Sequence, residues 1–331
     1  MSFDKEIKRI LKDFPQKINE EVILEVYKYQ YKYNTVYKEY ADAINRSPSS
    51  VHAIHSIPFL PITLFKTHRV ETKEKNSTID TDLVFYSSGT TSSNRSSHYV
   101  RDPEFYKIRS RQIFESYYGS LENTIILAVL PSYEENSSSS LVFMIQHFIA
   151  CTKHVASGFY SFDIKKIKDT LQALKKEHKK VLVWGVSYAL LDWAEGEEES
   201  YSDVIFLETG GMKGRRKELS RAELHQQLMK GFGVSTIHSE YGMTELLSQA
   251  YSKGNGHYEF REGLIPVLRE INDPFTILQK GSGGLNIIDL ANIDSCCFIE
   301  TQDVGRITTD VFEIIGRIDA SDIRGCNLLY I

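Results

Sequence analysis

The sequence predicts an α/β protein, with mostly parallel sheets covered by helices and a small β subdomain at the C-terminal end. The first observation is that short apolar runs alternate with helical patterns between about residues 83 and 237. Buried parallel strands have this character because helices cover both faces of their sheet. The second is that short strands alternate with Gly, Asp and Asn turns beyond about residue 257. The expected division is a helical segment at 1–56, an α/β core at 57–256 and a β-rich subdomain at 257–331.

The composition excludes several classes of function. The chain has 331 residues, 41% of them hydrophobic and 25% charged, and a net charge of −5 at pH 7. We therefore expect no general attraction to nucleic acid. We also expect no membrane span, because no apolar run reaches about 18 residues, and the charged N-terminus does not resemble a signal peptide. The four cysteines lack zinc-ligand spacing, and a reducing cytoplasmic location fits them best.

Helical and strand patterns follow one another along the chain. Residues 3–46 carry apolar and aromatic stripes at helical spacing, which are more typical of packing than of a ligand site. Ile57 to Lys66 contains prolines and is expected to be an extended link. The acidic run Glu195 to Glu199 is interpreted as a solvated loop. Buried strands are predicted at 83–86, 124–130, 181–184, 204–207 and 234–237. Helices are predicted at 102–119, 141–151, 163–178, 187–195 and 218–230.

A hydroxyl-rich loop follows the first of these strands. Nine of the eleven residues from Ser87 to Ser97 are Ser, Thr or Gly, and helix-start signals follow at Asp102 and Pro103. A glycine lets backbone approach an anion, and the neighbouring N–H and hydroxyl groups can hold phosphate oxygens. A flexible serine-rich surface loop is the alternative. The candidate phosphate-binding residues are Ser87, Ser88, Gly89, Thr90, Thr91 and Arg95.

A second candidate site lies at His238 to Tyr251, HSEYGMTELLSQAY. We expect a strand end, a turn at Gly242 and a helix opened by Thr244 and Glu245. Tyr241 can place its ring on a flat base, and Thr244 can donate to phosphate from a helix N-terminus. Glu245 can hold Mg²⁺, which usually takes one or two carboxylates together with phosphates. A capped hydrophobic helix is the structural alternative.

Four loops are expected at one edge of the sheet, because ligand loops in parallel sheets lie beyond the carboxyl ends of the strands. These loops are 87–97, 131–140, 210–217 and 238–245.

The motifs, taken in order, resemble those of the adenylate-forming superfamily, which includes acyl-CoA synthetases, peptide-synthetase adenylation domains and luciferases. SSGTTSS resembles its phosphate loop, although Ser92 stands where a second glycine is common and Arg95 replaces a nearby lysine. YGMTE resembles its adenine and magnesium motif, YGxTE. The resemblance covers roughly residues 57–326.

Two further motifs lie in the β-rich part of the chain. TQDVGR, from Thr301, resembles the TGDxG motif, with Gln302 in place of the glycine. IGRIDASDIRG, from Ile315, resembles the hinge motif GRxDxxIKxxG. The resemblance implies that ATP and Mg²⁺ are the cofactors, that Asp303 takes both ribose hydroxyls and that Arg317 reaches the ribose. It also places Asp319 at the hinge.

The chain further resembles one branch of this superfamily. A full adenylating enzyme continues past the hinge into a lid that carries a lysine, whereas this sequence stops at Ile331, so we expect the lid to be absent. IPFLPITLFK and GlyGlyMetLys resemble the acyl-protein synthetase subunit of the bacterial luminescence fatty-acid reductase and phenylacetate-CoA-ligase-like proteins. Members of that branch pass an acyl group to their own cysteine, which the resemblance identifies as Cys326. Lys213 or Arg95 would then offset the charge that develops as pyrophosphate leaves.

The expected function is ATP-dependent activation of a carboxylic acid, with a fatty acid favoured, and transfer of the acyl group to Cys326. The expected partners are the acid and an acyl-acceptor protein, such as an acyl reductase or a carrier protein. The apolar helix 141–149 and the loop after Leu130 would shape the acyl tunnel. Cys151, at least one of Cys296 and Cys297, and both His98 and His238 are interpreted as structural.

Two alternatives remain open. The chain could be a nucleotide- or acyl-binding subunit without turnover, which the missing lid, Gln302 and Ser92 favour. It could also be the core of an acid–CoA ligase that a separate lid protein completes.

Overall fold

The structure is a computed structural model that describes residues 2–13, 18–74, 83–88, 95–130, 136–210, 219–260, 264–309 and 311–318. These residues form eight α-helices: α1 (Phe3–Lys12), α2 (Glu20–Tyr33), α3 (Thr35–Ala43), α4 (Pro103–Tyr118), α5 (Ser140–Thr152), α6 (Ile164–Leu174), α7 (Ser187–Ala194) and α8 (Arg221–Phe232). The same ranges hold fifteen strands: β1 (Leu60–Pro61), β2 (Leu83–Tyr86), β3 (Ser97–Val100), β4 (Thr124–Val129), β5 (Gly158–Phe159), β6 (Lys180–Val186), β7 (Val204–Thr209), β8 (His238–Tyr241), β9 (Ala250–Ser252), β10 (Tyr258–Glu259), β11 (Leu264–Arg269), β12 (Ile277–Leu278), β13 (Gly281–Asp289), β14 (Phe298–Ile307) and β15 (Val311–Arg317). None of the helices in these ranges is both long and apolar enough to cross a lipid bilayer.

The chain divides into two compact units. The first comprises Met1–Asp82, Ser96–Arg101 and Glu259–Ile331, and the second comprises Leu83–Arg95 and Asp102–Tyr258.

The second unit is built on a parallel sheet in the strand order β5-β4-β6-β7-β8, and β9 continues it antiparallel to β8. Every residue of β4 is buried, and so is every residue of β6 after Lys180. Strands buried on both faces are read from sequence as continuous apolar runs. The predicted parallel α/β core, with strands near residues 124, 181 and 204, is therefore confirmed.

Aromatic side chains pack on both faces of this sheet. On one face, the ring of Phe114 from α4 stacks on Trp184, with centroids 5.8 Å apart. Trp184 pairs with Leu207 of β7, so the two side chains share a face of the sheet. Phe206 precedes Leu207 on β7, and its side chain therefore points to the opposite face. There the ring of Phe206 stacks on Phe232 of α8, with centroids 3.9 Å apart. Helices therefore cover both faces.

The predicted strand at Val234–Ile237 is wrong by four residues, since β8 runs from His238 to Tyr241. Gly233 ends α8 in the left-handed region, at φ 63°, and the amide of Val234 donates to Met229 O at 3.2 Å. A glycine reaches this conformation without a steric penalty, which is why it commonly ends helices. Val234 therefore takes part in the end of helix α8, and strand β8 begins only at His238.

The acidic run is only partly solvated, because the side chain of Glu197 is 2% exposed. Its carboxylate accepts hydrogen bonds from Trp193 Nε1 at 2.6 Å and Tyr201 OH at 3.1 Å, and it pairs with Lys168 Nζ at 3.0 Å. Burial acts to raise the pKa of Glu197, but the amides of Glu199 and Glu198, with Lys168 and Trp193, lower it to about 2. Glu197 lies in a loop as predicted, but its side chain is not solvated, because Trp193, Tyr201 and Lys168 from outside the acidic run contact its carboxylate.

We expect Glu197→Gln to lower the free energy of unfolding by about 2 kcal/mol at pH 7, because hydrogen bonds to a charged group are lost. The folded pKa lies below the ordinary value of 4.5. The stabilisation is therefore present above pH 4.5 and is lost as the pH falls toward 2. Urea unfolding across this pH range measures the effect, and Glu198→Gln, at an exposed neighbour, is the matched control. A deficit that is independent of pH would contradict the assigned charge.

The first unit combines α1–α3 with an antiparallel sheet in the order β12-β11-β13-β14-β15, and β1 pairs parallel with β14. The predicted β-rich C-terminal part is confirmed. The aromatic stripe packs as expected: Tyr27 and Tyr37 are buried against Phe298. The link at Ile57–Lys66 is extended only in part, since Ile62–Lys66 forms a 3-10 helix.

A buried ion network joins distant parts of this unit. Lys8 Nζ lies 2.5 Å from Asp294, and Arg101 pairs with the same carboxylate and with Asp4. Charges removed from water are tolerated only when they are paired in this way.

Candidate functional site

The carboxyl ends of β4, β6, β7 and β8 meet at one edge of the parallel sheet, because the four strands run in the same direction. Residues 131–135 and 211–218, which belong to two of the predicted loops, lie outside the described residues. The loop after Tyr86 is different, because β2 is not a strand of this sheet. The amide of Tyr86 donates to Ser138 O at 2.9 Å, beside another of the four loops, and the placement of this loop at the sheet edge stays a prediction.

The hydroxyl-rich loop is described only at its two ends. Gly89, Thr90 and Thr91 lie outside the described residues, whereas Ser87, Ser88 and Arg95 lie within them. Arg95 Nε donates to Ser87 O at 2.5 Å, and its guanidinium lies over the ring of Tyr86, 5.4 Å from the centroid. Arg95 therefore ties the two ends of the loop together.

Two predictions around this loop need correction. Strand β2 is not fully buried: only Phe85 is, and Tyr86 is 40% exposed. The segment after the loop does not pass directly into a helix, because β3 (Ser97–Val100) comes first. The helix start itself is confirmed, since Asp102 caps α4 by accepting from the amide of Phe105 at 2.9 Å.

The motif YGMTE begins at Tyr241, the last residue of β8, and no helix begins within it. The amide of Leu246 donates to Met243 O at 3.1 Å in a turn, and the chain returns as β9 with Tyr241 opposite Ala250. The predicted helix at Thr244 was therefore wrong, and Thr244 has no helix N-terminus to contribute. The apolar residues that suggested a helix are used in a turn and a strand instead.

Three features of this turn bear on ligand binding. Tyr241 is buried, and its ring lies 6.1 Å from that of Tyr258 in an edge-on arrangement. Gly242 is exposed. Glu245 is a buried carboxylate in a loop at the ligand edge of the sheet. A buried carboxylate oxygen suits Mg²⁺ as one ligand among phosphates. Within the described ranges no group of three His, Cys, Asp or Glu residues could hold a metal alone.

A buried polar network underlies this edge and centres on Glu208 of β7, which is 1% exposed. Its carboxylate accepts from Ser187 Oγ at 2.8 Å and pairs with Arg221 Nη1 at 2.5 Å. His225 Nε2 lies 3.4 Å from the same carboxylate and 3.1 Å from Ser239 Oγ. Burial acts to raise the pKa of Glu208, but Arg221, His225 and Ser239 hold it below its usual value.

The network is not a nucleophilic triad. In a Ser–His–acid triad the two ring nitrogens face different partners, whereas here the serine and the carboxylate both contact Nε2 of His225. We interpret it as a rigid base that fixes the carboxyl ends of β7 and β8.

A second buried glutamate, Glu240 of β8, lies on the other face of the sheet. One carboxylate oxygen, Oε2, accepts a hydrogen bond from Thr209 Oγ1, and Thr209 is its partner across the strand pair. Burial raises the pKa of Glu240 to about 7; the bond from Thr209 opposes this, and the nearby charge of Glu208 adds to it. The other oxygen, Oε1, lies against Gly242: a Cβ atom there would be 2.4 Å from it.

We expect Gly242→Ala to destabilise the fold by about 1–3 kcal/mol, the usual cost of forcing an atom into a packed position. The new methyl group must displace Glu240, which Thr209 holds. In a Glu240→Ala background the same change should cost almost nothing, because the clashing oxygen is gone. Chemical denaturation of the four proteins in this double-mutant cycle measures the coupling. Gly158→Ala, which meets nothing within 4 Å, is the control, and equal costs in both backgrounds would refute the contact.

In the first unit, Asp303 and Arg317 face each other across the β14–β15 pair. Arg317 Nε lies 3.5 Å from Asp303 Oδ1; the carboxylate is mostly buried, whereas the arginine is 69% exposed at its side chain. The amide of Asp303 donates to Thr301 Oγ1 at 3.1 Å, and that hydroxyl donates to Leu285 O at 2.6 Å. Asp303 is thus held from both sides at a fixed position on the strand.

Gln302 departs from the family motif. Its backbone carbonyl oxygen accepts a hydrogen bond from the amide of Ile318 at 2.7 Å. This contact involves only the backbone, so the side chain of Gln302 does not alter the ladder around Asp303. The predicted acyl acceptor Cys326, the basic residue Lys213 and the hinge residue Asp319 lie outside the described residues.

The remaining cysteines and histidines are placed as follows. Cys296 and Cys297 are both buried; burial raises the pKa of Cys296 to about 12, and the pKa of Cys297 is also raised. Cys151 is half-exposed rather than part of the core, with its Sγ 3.6 Å from His147 Nε2. His98 and His238 are buried, and His238 Nδ1 lies 3.1 Å from Tyr118 OH. Burial lowers the pKa of His238 to about 4, which suits a neutral structural histidine.

Sequence reasoning missed both buried glutamates. The signal was present: Glu208 interrupts the apolar strand VIFLET, and Glu240 precedes the turn of YGMTE. A carboxylate within a strand that is buried on both faces needs a partner or a function, because an unpaired buried charge is costly.

No protein-family model and no curated protein sequence matches the chain. Solved structures do match. The ATP-bound form of MatB from Rhodopseudomonas palustris aligns with a TM-score of 0.54 at 14% identity, covering 74% of this chain and 50% of that one. A 2-hydroxyisobutyryl-CoA ligase in complex with 2-HIB-AMP and CoA gives 0.63 at 12% identity, covering 91% and 68%. McyG A-PCP with phenylalanyl-adenylate gives 0.51 at 14% identity, covering 83% and 50%.

These proteins are adenylate-forming enzymes, and the chain has their fold. It spans about half the length of the MatB structure that it matches.

Proposed function

We propose that the chain binds ATP and activates a carboxylic acid as an acyl-adenylate. The observation that carries this proposal is the position of YGMTE, which starts at the last residue of a buried parallel strand and has both Tyr241 and Glu245 buried at the carboxyl edge of the sheet. The shared fold with adenylate-forming enzymes supports it, and so does Asp303, whose backbone amide is held by Thr301 and whose carboxylate is mostly buried.

In this reaction a carboxylate oxygen of the acid attacks the α-phosphorus of ATP. A new P–O bond forms, the bond to the β-phosphate breaks, and pyrophosphate leaves with the displaced electron pair. Mg²⁺, when bound, would neutralise part of the phosphate charge. Glu245 would hold the ion, Tyr241 would place the adenine, Asp303 would take the ribose hydroxyls and Arg317 would reach the ribose.

The positive charge near the phosphates would come from Arg95, together with Lys213 if its loop brings it to the edge. The hydrogen bond from Arg95 Nε to Ser87 O, at the base of the hydroxyl-rich loop, supports this role. Such groups act by stabilising the charge that develops in the transition state.

The proposed second step moves the acyl group to Cys326. The thiolate attacks the acyl carbon, a thioester forms, and AMP leaves with its phosphate oxygen. The resemblance to acyl-protein synthetases supports this step and the preference for a fatty acid. A protein acceptor, such as an acyl reductase or a carrier protein, would then take the acyl group.

The test is acid labelling in the presence of Mg-ATP. Purified protein is incubated with radiolabelled fatty and aryl acids, and acid-dependent exchange of pyrophosphate into ATP is measured in parallel. Exchange with at least one acid supports adenylation, and its absence with every acid overturns it. Hydroxylamine-sensitive label on the wild type, but not on Cys326→Ala, supports self-acylation. Exchange without covalent label would assign the acyl group to another acceptor.

A second candidate is the activating core of an acid–CoA ligase. Two of the similar structures are a MatB and a 2-hydroxyisobutyryl-CoA ligase, the latter with CoA bound. This candidate predicts pyrophosphate exchange by the chain alone, but acyl-CoA formation only after a separate lid protein is added. A binding subunit without turnover would instead retain ATP binding and show no exchange.

A further inference from the structure

Asp303 lies in an irregular part of strand β14. The register between β13 and β14 shifts near Leu285, so that the segment Thr301–Asp303, here called the bulge, lies opposite this single residue. A β-bulge bends its strand and changes the direction in which its side chains point. The hydroxyl of Thr301 bridges the irregularity, because it donates to Leu285 O at 2.6 Å and accepts from the amide of Asp303 at 3.1 Å. The direction of the Asp303 carboxylate therefore depends on the conformation of the bulge.

An arginine from a more distant strand reaches the bulge. Arg269 lies on β11, and β13 separates this strand from β14. The guanidinium crosses β13 at Gly284, where a Cβ atom would be 2.3 Å from Nη1 of Arg269. Beyond that point Nη2 donates to the backbone oxygen of Thr301 at 3.1 Å. The glycine thus leaves the space through which Arg269 contacts the bulge.

Further contacts fix the guanidinium in this orientation, and Arg269 as a whole is only 3% exposed. Its Nε donates to Asn286 Oδ1 at 3.1 Å, and its Nη1 donates to Glu270 O at 3.3 Å. Its Nη2 also pairs with Oε1 of Glu300, the residue before the bulge, at 3.2 Å. All three nitrogens are engaged, and the planar fork of an arginine can serve acceptors on two strands at once, whereas the compact ammonium of a lysine cannot.

A charge buried in this way is costly. Attraction to one partner often fails to offset the loss of water, and a well-packed apolar side chain in the same place can stabilise a fold equally well. Burial lowers the pKa of Arg269, and the carboxylate of Glu300 opposes this. Stability alone therefore does not explain an arginine here. Its contact with Thr301 does, because that contact holds the segment from which the Asp303 carboxylate projects.

We propose that Arg269 is a positioning residue for Asp303. By holding the bulge through Thr301 and Glu300, it sets the direction in which the Asp303 carboxylate faces a bound ribose. The inference rests on the proposed function and deepens it, since it adds a buried residue that controls a binding residue without touching the ligand. Loss of the fork should therefore weaken recognition of the ribose hydroxyls more than it weakens nucleotide binding as a whole.

Two variants of Arg269 test this role. Arg269→Lys keeps the charge without the fork, and Arg269→Met keeps an apolar stem alone. Urea unfolding first establishes the conditions under which each variant is folded, and if Arg269→Met does not fold, Arg269→Lys decides. Calorimetry then compares ATP with 2′,3′-dideoxy-ATP, which lacks both ribose hydroxyls. The wild type should prefer ATP by about 10-fold or more, the scale of hydrogen bonds to a charged group. Both variants should lose most of this preference and bind the dideoxy nucleotide nearly as the wild type does.

A control and a second readout separate positioning from stability. Lys280→Met, at an exposed position beside β13, should keep the wild-type preference. Hydrogen exchange followed by NMR needs no nucleotide. The amide of Asp303, which donates to Thr301, should exchange faster in Arg269→Lys than in the control, while amides of the parallel sheet keep their wild-type rates. Equal loss of affinity for both nucleotides, or unchanged exchange at Asp303, would overturn the positioning role.

The outcomes distinguish this inference from the function on which it rests. Wild-type protein that binds neither nucleotide and shows no pyrophosphate exchange overturns both. Wild-type protein that exchanges pyrophosphate but binds the two nucleotides equally overturns the ribose assignment of Asp303 and this inference, and leaves adenylation in place. A wild-type preference for ATP that persists in the folded Arg269 variants overturns only the role of Arg269.

Discussion

Replacing Glu245 with glutamine is expected to reduce acid-dependent pyrophosphate exchange by about 10²–10³-fold, the usual effect of removing one group that stabilises transition-state charge. Glu245 is a buried carboxylate at the carboxyl edge of the sheet. The amide has nearly the same volume, so the turn after β8 should be retained. It carries no charge, so it should hold Mg²⁺ more weakly against the phosphates. The measurement is the rate of exchange as a function of Mg²⁺ concentration.

Two comparisons make the result specific to the metal. ATP binding without Mg²⁺ should be nearly unchanged in Glu245→Gln, and partial recovery is expected at high Mg²⁺. Glu198→Gln, an exposed carboxylate on another loop, should exchange at the wild-type rate. If exchange in Glu245→Gln equals that of the control at every Mg²⁺ concentration, Glu245 is not the metal ligand.

Replacing Asp303 with asparagine is expected to weaken ATP binding by about 10–150-fold, which corresponds to losing about 1.5–3 kcal/mol of hydrogen bonding to a charged group. A carboxylate can accept from both ribose hydroxyls, whereas an amide accepts through one atom only. The backbone should be retained, because the amide of Asp303 donates to Thr301 and the ladder continues to Arg317. Calorimetry with ATP measures the loss.

The choice of nucleotide shows whether the ribose is involved. Wild-type protein should prefer ATP over 3′-deoxy-ATP, and Asp303→Asn should bind the two with similar affinity. The loss of the pair with Arg317 alone should matter little, since that side chain is largely exposed and exposed ion pairs contribute little. Asp203→Asn, at an exposed position, is the control. Unchanged preference for ATP in Asp303→Asn would refute the assignment to the ribose.

Most of the fold could be predicted because many of its strands are recognisable from their local sequence alone. VLVWGV is apolar throughout and TIILAV is apolar after Thr124, as strands buried on both faces require. Strand β8 could not be predicted in this way, because HSEY contains three polar residues. They are buried through partners distant in the chain: His238 contacts Tyr118, Ser239 contacts His225, and Glu240 contacts Thr209. Local patterns carry no information about such contacts.

The parts of the candidate site that carry a sequence motif were predictable. The parts that depend on how the strands pair were not. YGMTE located the buried Tyr241 and Glu245. The apolar residues after it suit a helix and a strand equally well. The antiparallel pairing of Tyr241 with Ala250 shows that the chain forms a strand, β9, there. The two buried glutamates carry no motif, and only the strand pairing brings their partners to them.

The return of the chain from β8 into β9 has a consequence for the thermodynamics of ligand capture. Because Tyr241 pairs with Ala250, the eight residues between them form a closed loop whose ends the folded sheet already holds. The entropy lost in closing that loop is thus a cost of folding. If a nucleotide binds at Gly242 and Glu245 as proposed, it would therefore not have to bring the loop ends together. A binding loop that is already ordered before the ligand arrives raises the affinity for that ligand without adding a contact.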